Sequence, residues 1–304
     1  MEFAMSRIYE WSSMDAAGDE FEGTANRPTY RLVQADNLRW MQRQDARGYE
    51  LIYLDPPFNT GKRQAMKRVR NVRDESGDHV GFGGRRYRSE VLSTQSYADA
   101  FDDYLGFLTP RLEECARLLT EQGSLFVHVD PRESHYVKVT LDEIFGRDCF
   151  RNEIVWAYDY GGRSRRSWPA KHDVILWYSR DPKQWTYRYD DIERVPYMAP
   201  GLVGPKKAAR GKVPTDVWWQ TIVAPQSRER TGYPTQKPAK ILDRIVRVHS
   251  NPGERVLDPF AGSGTTGESA LRNGRSATLV DQNKEAIAVM RRRLVEFGAL
   301  SKHT

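Results

Sequence analysis

Cysteine is almost absent: Cys115 and Cys149 are the only two in 304 residues, too few for a disulfide framework or a zinc cluster. Cys115 sits in a helical pattern and Cys149 follows a helix end, and both are read as inert. His128 and His135 lie on a strand and the helix after it without a third ligand, so no metal site is expected. Long apolar runs are missing too. No stretch approaches the roughly 18 residues of a membrane span, and the mean hydropathy is −0.71. The N-terminus lacks an apolar segment with a cleavage site, so a cytoplasmic protein without a membrane partner is expected. Internal repeats and low-complexity tracts are also lacking. What remains is a globular composition, with 39% hydrophobic residues to build a core and 29% charged residues to cover it. That balance excludes global disorder and a fibrous rod, and the length suits one large or two coupled units.

The net charge of +6 is unevenly placed. Between Lys62 and Arg88 nine basic residues face three acidic ones, and between Gly161 and Gly232 fourteen face seven. The rest of the chain is therefore net acidic. A solvated loop can carry such charge, but positive charge concentrated on an acidic body points to a polyanion partner.

Short β-branched or aromatic runs alternate with longer helical patterns. Strands are expected at Tyr30–Val33, Glu50–Leu54, Ser124–Val129, Glu153–Tyr158, Val174–Tyr178, Arg255–Leu257 and Ala277–Val280. Helices are expected at Asn37–Gln44, Tyr97–Gln122, Ser134–Phe145, Ala239–Val248, Thr265–Asn273 and Lys284–Phe297. Near-continuous apolar strands suit a sheet covered on both faces, and the alternation implies an α/β fold with a doubly wound, mostly parallel sheet. Gly123, Gly146, Gly274 and Gly298 mark helix C-termini, while Pro110 begins a second helix or kinks the long one. Residues 59–96 are basic, show neither period and are expected to form a mobile loop. Residues 181–232, with prolines and many aromatics, read as an insertion with its own small fold. The Trp218-Trp219 pair there suits either its core or a stacking platform.

Two loops carry the chemistry. Gly262-Ser263-Gly264-Thr265-Thr266-Gly267 matches G-x-G-x-x-G after a strand and opens a helix, with Asp281 nineteen residues beyond Gly262. Taken mechanically this is a dinucleotide fingerprint, which would make the chain a nicotinamide-dependent oxidoreductase. Asp258, however, puts a carboxylate at the strand tip, where a pyrophosphate would be repelled. A ligand with an amino group and a ribose but no phosphate fits better, and S-adenosylmethionine has those features. The second loop, Leu54-Asp55-Pro56-Pro57-Phe58, also ends a strand. It offers the Asp55 carboxylate and the Pro56 carbonyl as acceptors, Pro57 as a stiffener and Phe58 as an aromatic face. That set suits a planar substrate carrying an NH2 group.

At these residues the sequence resembles the DNA amino-methyltransferases. Asp55-Pro56-Pro57-Phe58, followed by Asn59-Thr60-Gly61, is similar to their catalytic motif. Asp258-Pro259-Phe260-Ala261-Gly262-Ser263-Gly264-Thr265-Thr266 is similar to their cofactor motif. Tyr233-Pro234-Thr235-Gln236-Lys237-Pro238 resembles the segment before it, and Asn152–Trp156 and His172–Tyr178 resemble later core strands. The order, catalytic motif first and cofactor motif last, is similar to the β group. Three departures stand out: Phe58 where the family more often has Tyr, Asp281 where Glu is usual, and Tyr233 where His is common.

The resemblance implies a class I methyltransferase-like fold with an inserted target-recognition region. It divides the chain into an N-terminal extension (1–29), a catalytic half (30–180, with the basic loop 59–96), the target-recognition region (181–232) and a cofactor half (233–304). It implies methyl transfer from S-adenosylmethionine to the exocyclic amine of a flipped base in double-stranded DNA. Asp55 favours adenine-N6, since cytosine-N4 enzymes more often have Ser there. By the same resemblance Asp36, Lys237, Asp258, Phe260, Gly262, Gly264, Thr265 and Asp281 hold the cofactor. Arg68, Arg70, Arg85, Arg86, Arg163, Arg165 and Arg166 are candidate DNA contacts; the 62–88 stretch would supply phosphate contacts, and 181–232 base readout. A homodimer and a cognate restriction endonuclease are further partners this group allows. An RNA or protein-glutamine methyltransferase is the remote enzymatic alternative, and a silent DNA-binding module the non-enzymatic one.

Overall fold

The apolar runs become the strands of one central sheet. The computed structural model describes residues 20–23, 28–59, 62–73, 79–80, 86–99, 101, 103–161, 164–297 and 300–301. In chain order β1 (Glu20–Gly23), β2 (Tyr30–Gln34), α1 (Asn37–Met41) and β3 (Tyr49–Leu54) come first. The basic segment forms β4 (Lys62–Arg73), β5 (His79–Val80) and β6 (Arg86–Asp99). Then follow α2 (Tyr104–Leu118), β7 (Leu119–Val129), α3 (Pro131–Phe145), β8 (Phe150–Ala157), β9 (His172–Ser179), α4 (Pro205–Arg210) and β10 (Val217–Trp219). The last elements are α5 (Ala239–His249), β11 (Arg255–Asp258), α6 (Thr265–Arg272), β12 (Ser276–Asp281), α7 (Lys284–Leu294) and β13 (Leu300–Ser301).

Ten strands pair in the order β10-β8-β9-β7-β3-β11-β12-β2-β1-β13. From β7 through β3, β11 and β12 to β2 the pairs are parallel, β10 is parallel to β8, and β9 runs antiparallel between β8 and β7. Side chains alternate between the faces. Ile52, Leu54, Val127 and Leu257 pack under α1, α2 and α3, whereas Leu51, Tyr53, Phe126 and Val256 pack under α5, α6 and α7. Both faces are covered, which is why these strands are apolar throughout. The expected doubly wound, mostly parallel sheet is present. α3 shows how the helix bounds are set. Asp130 caps its N-terminus by accepting from the Arg132 N–H, Pro131 opens the first turn, and Gly146 follows at φ +86°.

Several expectations need correction. Residues 62–73, 79–80 and 86–99 are not a mobile loop but an antiparallel three-stranded sheet, with β4 and β6 paired from Lys62↔Asp99 to Arg73↔Tyr87 through one register shift after Arg68. A ladder that pairs with itself imposes no pattern on the main sheet, and its basic strands show no hydrophobic periodicity to announce it. The helix expected at Tyr97–Gln122 is shorter. Asp103 caps α2 through the Gly106 N–H, Pro110 lies inside the helix, and β7 begins at Leu119. Gly123 is therefore a strand residue rather than a helix cap. A Cβ there would stand 3.1 Å from the Glu50 carbonyl of neighbouring β3. Residues 181–232 do not build a core of their own. β10 extends the main sheet beside β8, Trp218 is buried in the main core, and Tyr187 stacks on Trp177. Within the expected N-terminal extension, residues 20–23 form β1 and pair with β2. Gly146 and Gly274 do follow helices, while Gly298 lies outside the described residues.

Candidate active site at the tips of two adjacent strands

β3 and β11 are neighbours, with Val256 opposite Leu51. From β3 the chain winds to β7 on one side; from β11 it winds to β12 on the other. Their C-terminal ends thus form the crevice where open α/β sheets bind ligands. Both motif loops leave the sheet there, and between them lies a cleft of about 430 Å³, within the range of small-molecule sites.

The glycine loop is held from both sides. Asp258 is buried, and its Oδ1 accepts from the Phe260 N–H (3.0 Å) and its Oδ2 from the Thr266 hydroxyl (2.6 Å). Burial pushes its carboxyl up to about 7, with the Asp55 and Asp281 charges adding and the two hydrogen bonds opposing. Asp281 accepts from the Gly262 N–H (2.9 Å) and the Asn283 N–H (2.8 Å), and burial raises its carboxyl too. Gly262 and Gly264 have φ of +50° and +76°, and a Cβ on Gly264 would lie 2.7 Å from Met290 Cγ. Only glycine fits that turn. Asp36 caps α1, accepting from the Arg39 N–H (3.0 Å), and Asn37 reaches the Pro259 carbonyl (2.8 Å), tying α1 to the loop.

Asp55 is half-buried at the other wall. Its Oδ1 accepts from Lys237 Nζ (2.7 Å), and the same ammonium lies 4.6 Å from the Phe58 ring centre. Lys237 is delivered by a cinched segment: Gln236 bonds Thr231 and Glu229, and the Thr265 hydroxyl donates to the Lys237 carbonyl (3.2 Å). Pro56 and Pro57 line the cleft between Asp55 and Phe58.

Behind Asp55 runs a buried polar chain. His128 is fully buried, with Nδ1 2.8 Å from the Tyr53 hydroxyl and 3.9 Å from Asp55 Oδ1, and Nε2 3.1 Å from Asp173 Oδ2. The Tyr158 hydroxyl donates to the other Asp173 oxygen (3.0 Å). Burial alone would raise the Asp173 carboxyl. The His128 hydrogen bond and charge, the Lys237 charge and the Tyr158 hydroxyl outweigh it, and the group stays below its ordinary range. With Asp173 ionised, His128 donates to it from Nε2, and the Tyr53 hydroxyl pairs with Nδ1 on the other side of the ring.

The structure thus brings Asp55, Pro56, Pro57, Phe58, Asp36, Lys237, Asp258, Phe260, Gly262, Thr265 and Asp281 to one cleft, with Gly264 at its α6 wall. Lys237 pairs with Asp55 across the cleft. Sequence reasoning missed the His128–Asp173 pair and Arg111. Arg111 is buried against Asn37 and Asp36, with its guanidinium 3.9 Å over Phe107. The available signal for His128 was a polar residue inside the apolar run Ser124–Val129.

Arg68 and Arg70 lie on β4 and Arg86 opens β6; Arg85 and Arg163 fall outside the described residues. Arg165 and Arg166 are exposed on the connection between β8 and β9. The β4–β6 arm leaves directly after Phe58. Asn59 grips its base, accepting from the Phe101 N–H (3.0 Å) and donating to Glu133 (2.9 Å).

The chain is similar to known DNA methyltransferases. A family model described as DNA methylase, of the N6/N4 amino-methyltransferase type, matches residues 49–292. Type II methyltransferase M.HpaI of Haemophilus parainfluenzae is 30% identical over 264 residues, spanning 87% of this chain and 74% of the relative. DNA adenine methyltransferase YhdJ of Escherichia coli (strain K12) is 30% identical over 271 residues, spanning 86% and 82%. Among solved structures, the M1.HpyAVI–SAM complex superposes with a TM-score of 0.56 at 19% identity, covering 87% of this chain and 98% of that one. PvuII DNA methyltransferase, named as cytosine-N4-specific, gives 0.59 at 15% identity, covering 87% and 86%. At such identities the structural likeness speaks for the fold.

Proposed function

From the premise that this chain belongs to the DNA methylase family, and is an S-adenosylmethionine-dependent DNA amino-methyltransferase, we propose that it methylates the N6 amine of an adenine flipped out of double-stranded DNA. One observation carries the reading. The Asp55 carboxylate and the Phe58 ring face one space, where the Lys237 ammonium bonds the first and lies 4.6 Å from the centre of the second. The Asp at this position and the adenine-specific name of YhdJ both favour adenine. The cytosine-N4 name of the PvuII enzyme keeps N4 as the second reading.

The cleft's chemistry fits the cofactor. Four carboxylates line it (Asp36, Asp55, Asp258, Asp281) against two cations, Arg111 and Lys237. That balance disfavours a pyrophosphate and favours a sulfonium, an amine and a ribose diol. Asp281 would take the ribose, Phe260 and Asp36 the adenine, and the bared Gly262–Gly264 backbone the methionine end. Bound there, the cofactor supplies an activated methyl group.

The target amine is a weak nucleophile because its lone pair is delocalised into the ring. Asp55 and the Pro56 carbonyl, as paired acceptors, draw it toward tetrahedral geometry and take up the developing positive charge. Asp55 spends one oxygen on Lys237, which fixes its rotamer, and keeps acceptor capacity for the amine. Flipping costs a few kcal/mol, and stacking on Phe58 returns about 1–3 kcal/mol. In this reading the arm of β4 and β6 supplies phosphate contacts, and residues 181–232 read base edges. The test is sequencing of DNA from a host expressing the protein, with a readout that separates N6-methyladenine from N4-methylcytosine. N6-methyladenine at one sequence motif is expected. N4-methylcytosine would overturn the base assignment, and unmodified DNA the whole reading.

A further inference from the structure

Seven of the eight tryptophans are described, and their burial divides them sharply. Trp40, Trp156, Trp177 and Trp218 are buried and Trp185 is partly so, whereas Trp168 is 97% and Trp219 77% exposed. Both exposed indoles stand on the same edge of the sheet as Asp55. β7 is parallel to β3, β9 reverses, and β8 reverses again, so the C-terminal ends of β8 and β10 point the way β3 does. Trp168 lies in the connection from β8 to β9, and Trp219 ends β10 opposite Ala157.

That connection is built to present its tip. The Ser164 hydroxyl accepts from the Arg166 and Ser167 N–H groups at 3.2 and 3.1 Å, and Pro169 restricts the residue before it. Lys171 Nζ donates to the carbonyls of Tyr160 and Gly161 at 2.7 and 2.8 Å, closing the neck. At the root, Tyr158 holds Asp173, which holds His128 behind Asp55. The connection that carries Trp168 is thus rooted beside the buried polar chain that lies behind Asp55. Beside it stand Arg165 and Arg166, both exposed, on the wall of an open concavity that Trp168 also lines. An indole almost wholly in water, sharing a concavity with two exposed arginines, marks a binding surface, and its chemistry is that of a nucleic acid: cations for phosphates, a large flat ring for bases.

Strands in a sheet lie about 4.8 Å apart. β9 and β8 are two and three strands from β3, so the tip stands roughly 10–15 Å sideways from Asp55, comparable to the width of about 12 Å of a major groove. Trp219, four strands away, is roughly 19 Å off. Resting on the base-flipping reading above, we propose that Trp168 is the wedge that enters the base stack where the target base has left it, while Arg165 and Arg166 grip the flanking phosphates. Apolar wedges between base steps stabilise opened duplexes in this way.

The experiment compares wild type, Trp168→Ala, Trp168→Phe and Trp219→Ala on duplexes carrying the methylated site, with the target base either paired or mismatched. Calorimetric S-adenosylmethionine binding checks that each variant is folded. Trp168→Ala should lose roughly five- to a hundredfold in kcat/KM on the paired site, the range of one stacking contact. On the mismatched site, where opening is already cheap, most of that loss should vanish. Trp168→Phe should fall between, and Trp219→Ala should respond alike to both duplexes. An unchanged Trp168→Ala, or one equally impaired on both duplexes, would overturn the wedge while leaving the methyltransferase reading intact. A wild type silent on every DNA would sink that reading, and the wedge with it.

Discussion

Two strand tips begin with the same dipeptide and use it differently. Asp258-Pro259 and Asp55-Pro56 end adjacent parallel strands and border one cleft. At Asp258 both carboxylate oxygens are occupied inside the loop, the side chain is buried, and the acid is pushed up to about 7. Asp55 has one oxygen on a neighbouring ammonium and a side chain 17% exposed to the cleft. A carboxylate that satisfies its own loop is a structural clasp; one with spare acceptor capacity facing a cavity does chemistry. The contrast is one of solvation and partners rather than of motif.

The sharpest way to break this contrast is Asp55→Ala. It should lower methyl transfer by about 10²–10³-fold or more, the scale of losing a preorganised electrostatic group, with cofactor affinity within a few-fold by calorimetry. Near-normal turnover would place the amine elsewhere. Asp258→Ala should act on stability instead. It orphans the Phe260 N–H and the Thr266 hydroxyl at about 1–3 kcal/mol each, read as a lowered urea midpoint. An acid raised in the folded state binds a proton that the unfolded chain has already released. Across the window from about pH 4 to about pH 7 the Asp258 contribution to stability therefore falls as pH rises. Asp258→Asn should remove that part of the slope, so its advantage over wild type in denaturant titrations should grow from pH 5 to pH 7.

Phe58→Ala should be milder, with about 1–3 kcal/mol lost from the transition state, and Phe58→Tyr should keep nearly all activity in steady-state assays. The smallest effect on the cleft should come from the basic arm. Replacing Arg68, Arg70, Arg85 and Arg86 by Ala should weaken binding to all duplexes and flatten the salt dependence, with the methylated sequence unchanged. A new sequence preference with an unaltered salt slope would move base readout into the arm.

The sheet was legible because its strands are buried on both faces and say so in apolar runs. Both loops were legible because a turn, a close approach and a carboxylate demand particular residues at particular spacings. Long-range pairings were not. Lys237 meets Asp55 across 182 positions, brought there by the adjacency of β3 and β11, and nothing local encodes that. His128 and Asp173 looked like strand residues because they are; only the antiparallel pairing of β7 with β9 sets their rings and oxygens against one another. The β4–β6 arm was hidden for the opposite reason. Its ladder closes on itself and imposes no pattern that the rest of the core must match.

Its attachment has a consequence for how the chain can change. The arm begins and ends at one hydrogen bond, Asn59 to Phe101, although those residues are 42 apart. Its two ends therefore coincide in space, and the work of closing that loop grows only slowly with its length. Lengthening or trimming the arm beyond its paired base should therefore cost little in loop closure. It is a cassette plugged in beside the catalytic motif, whose far end can change in size and charge at little cost in loop closure.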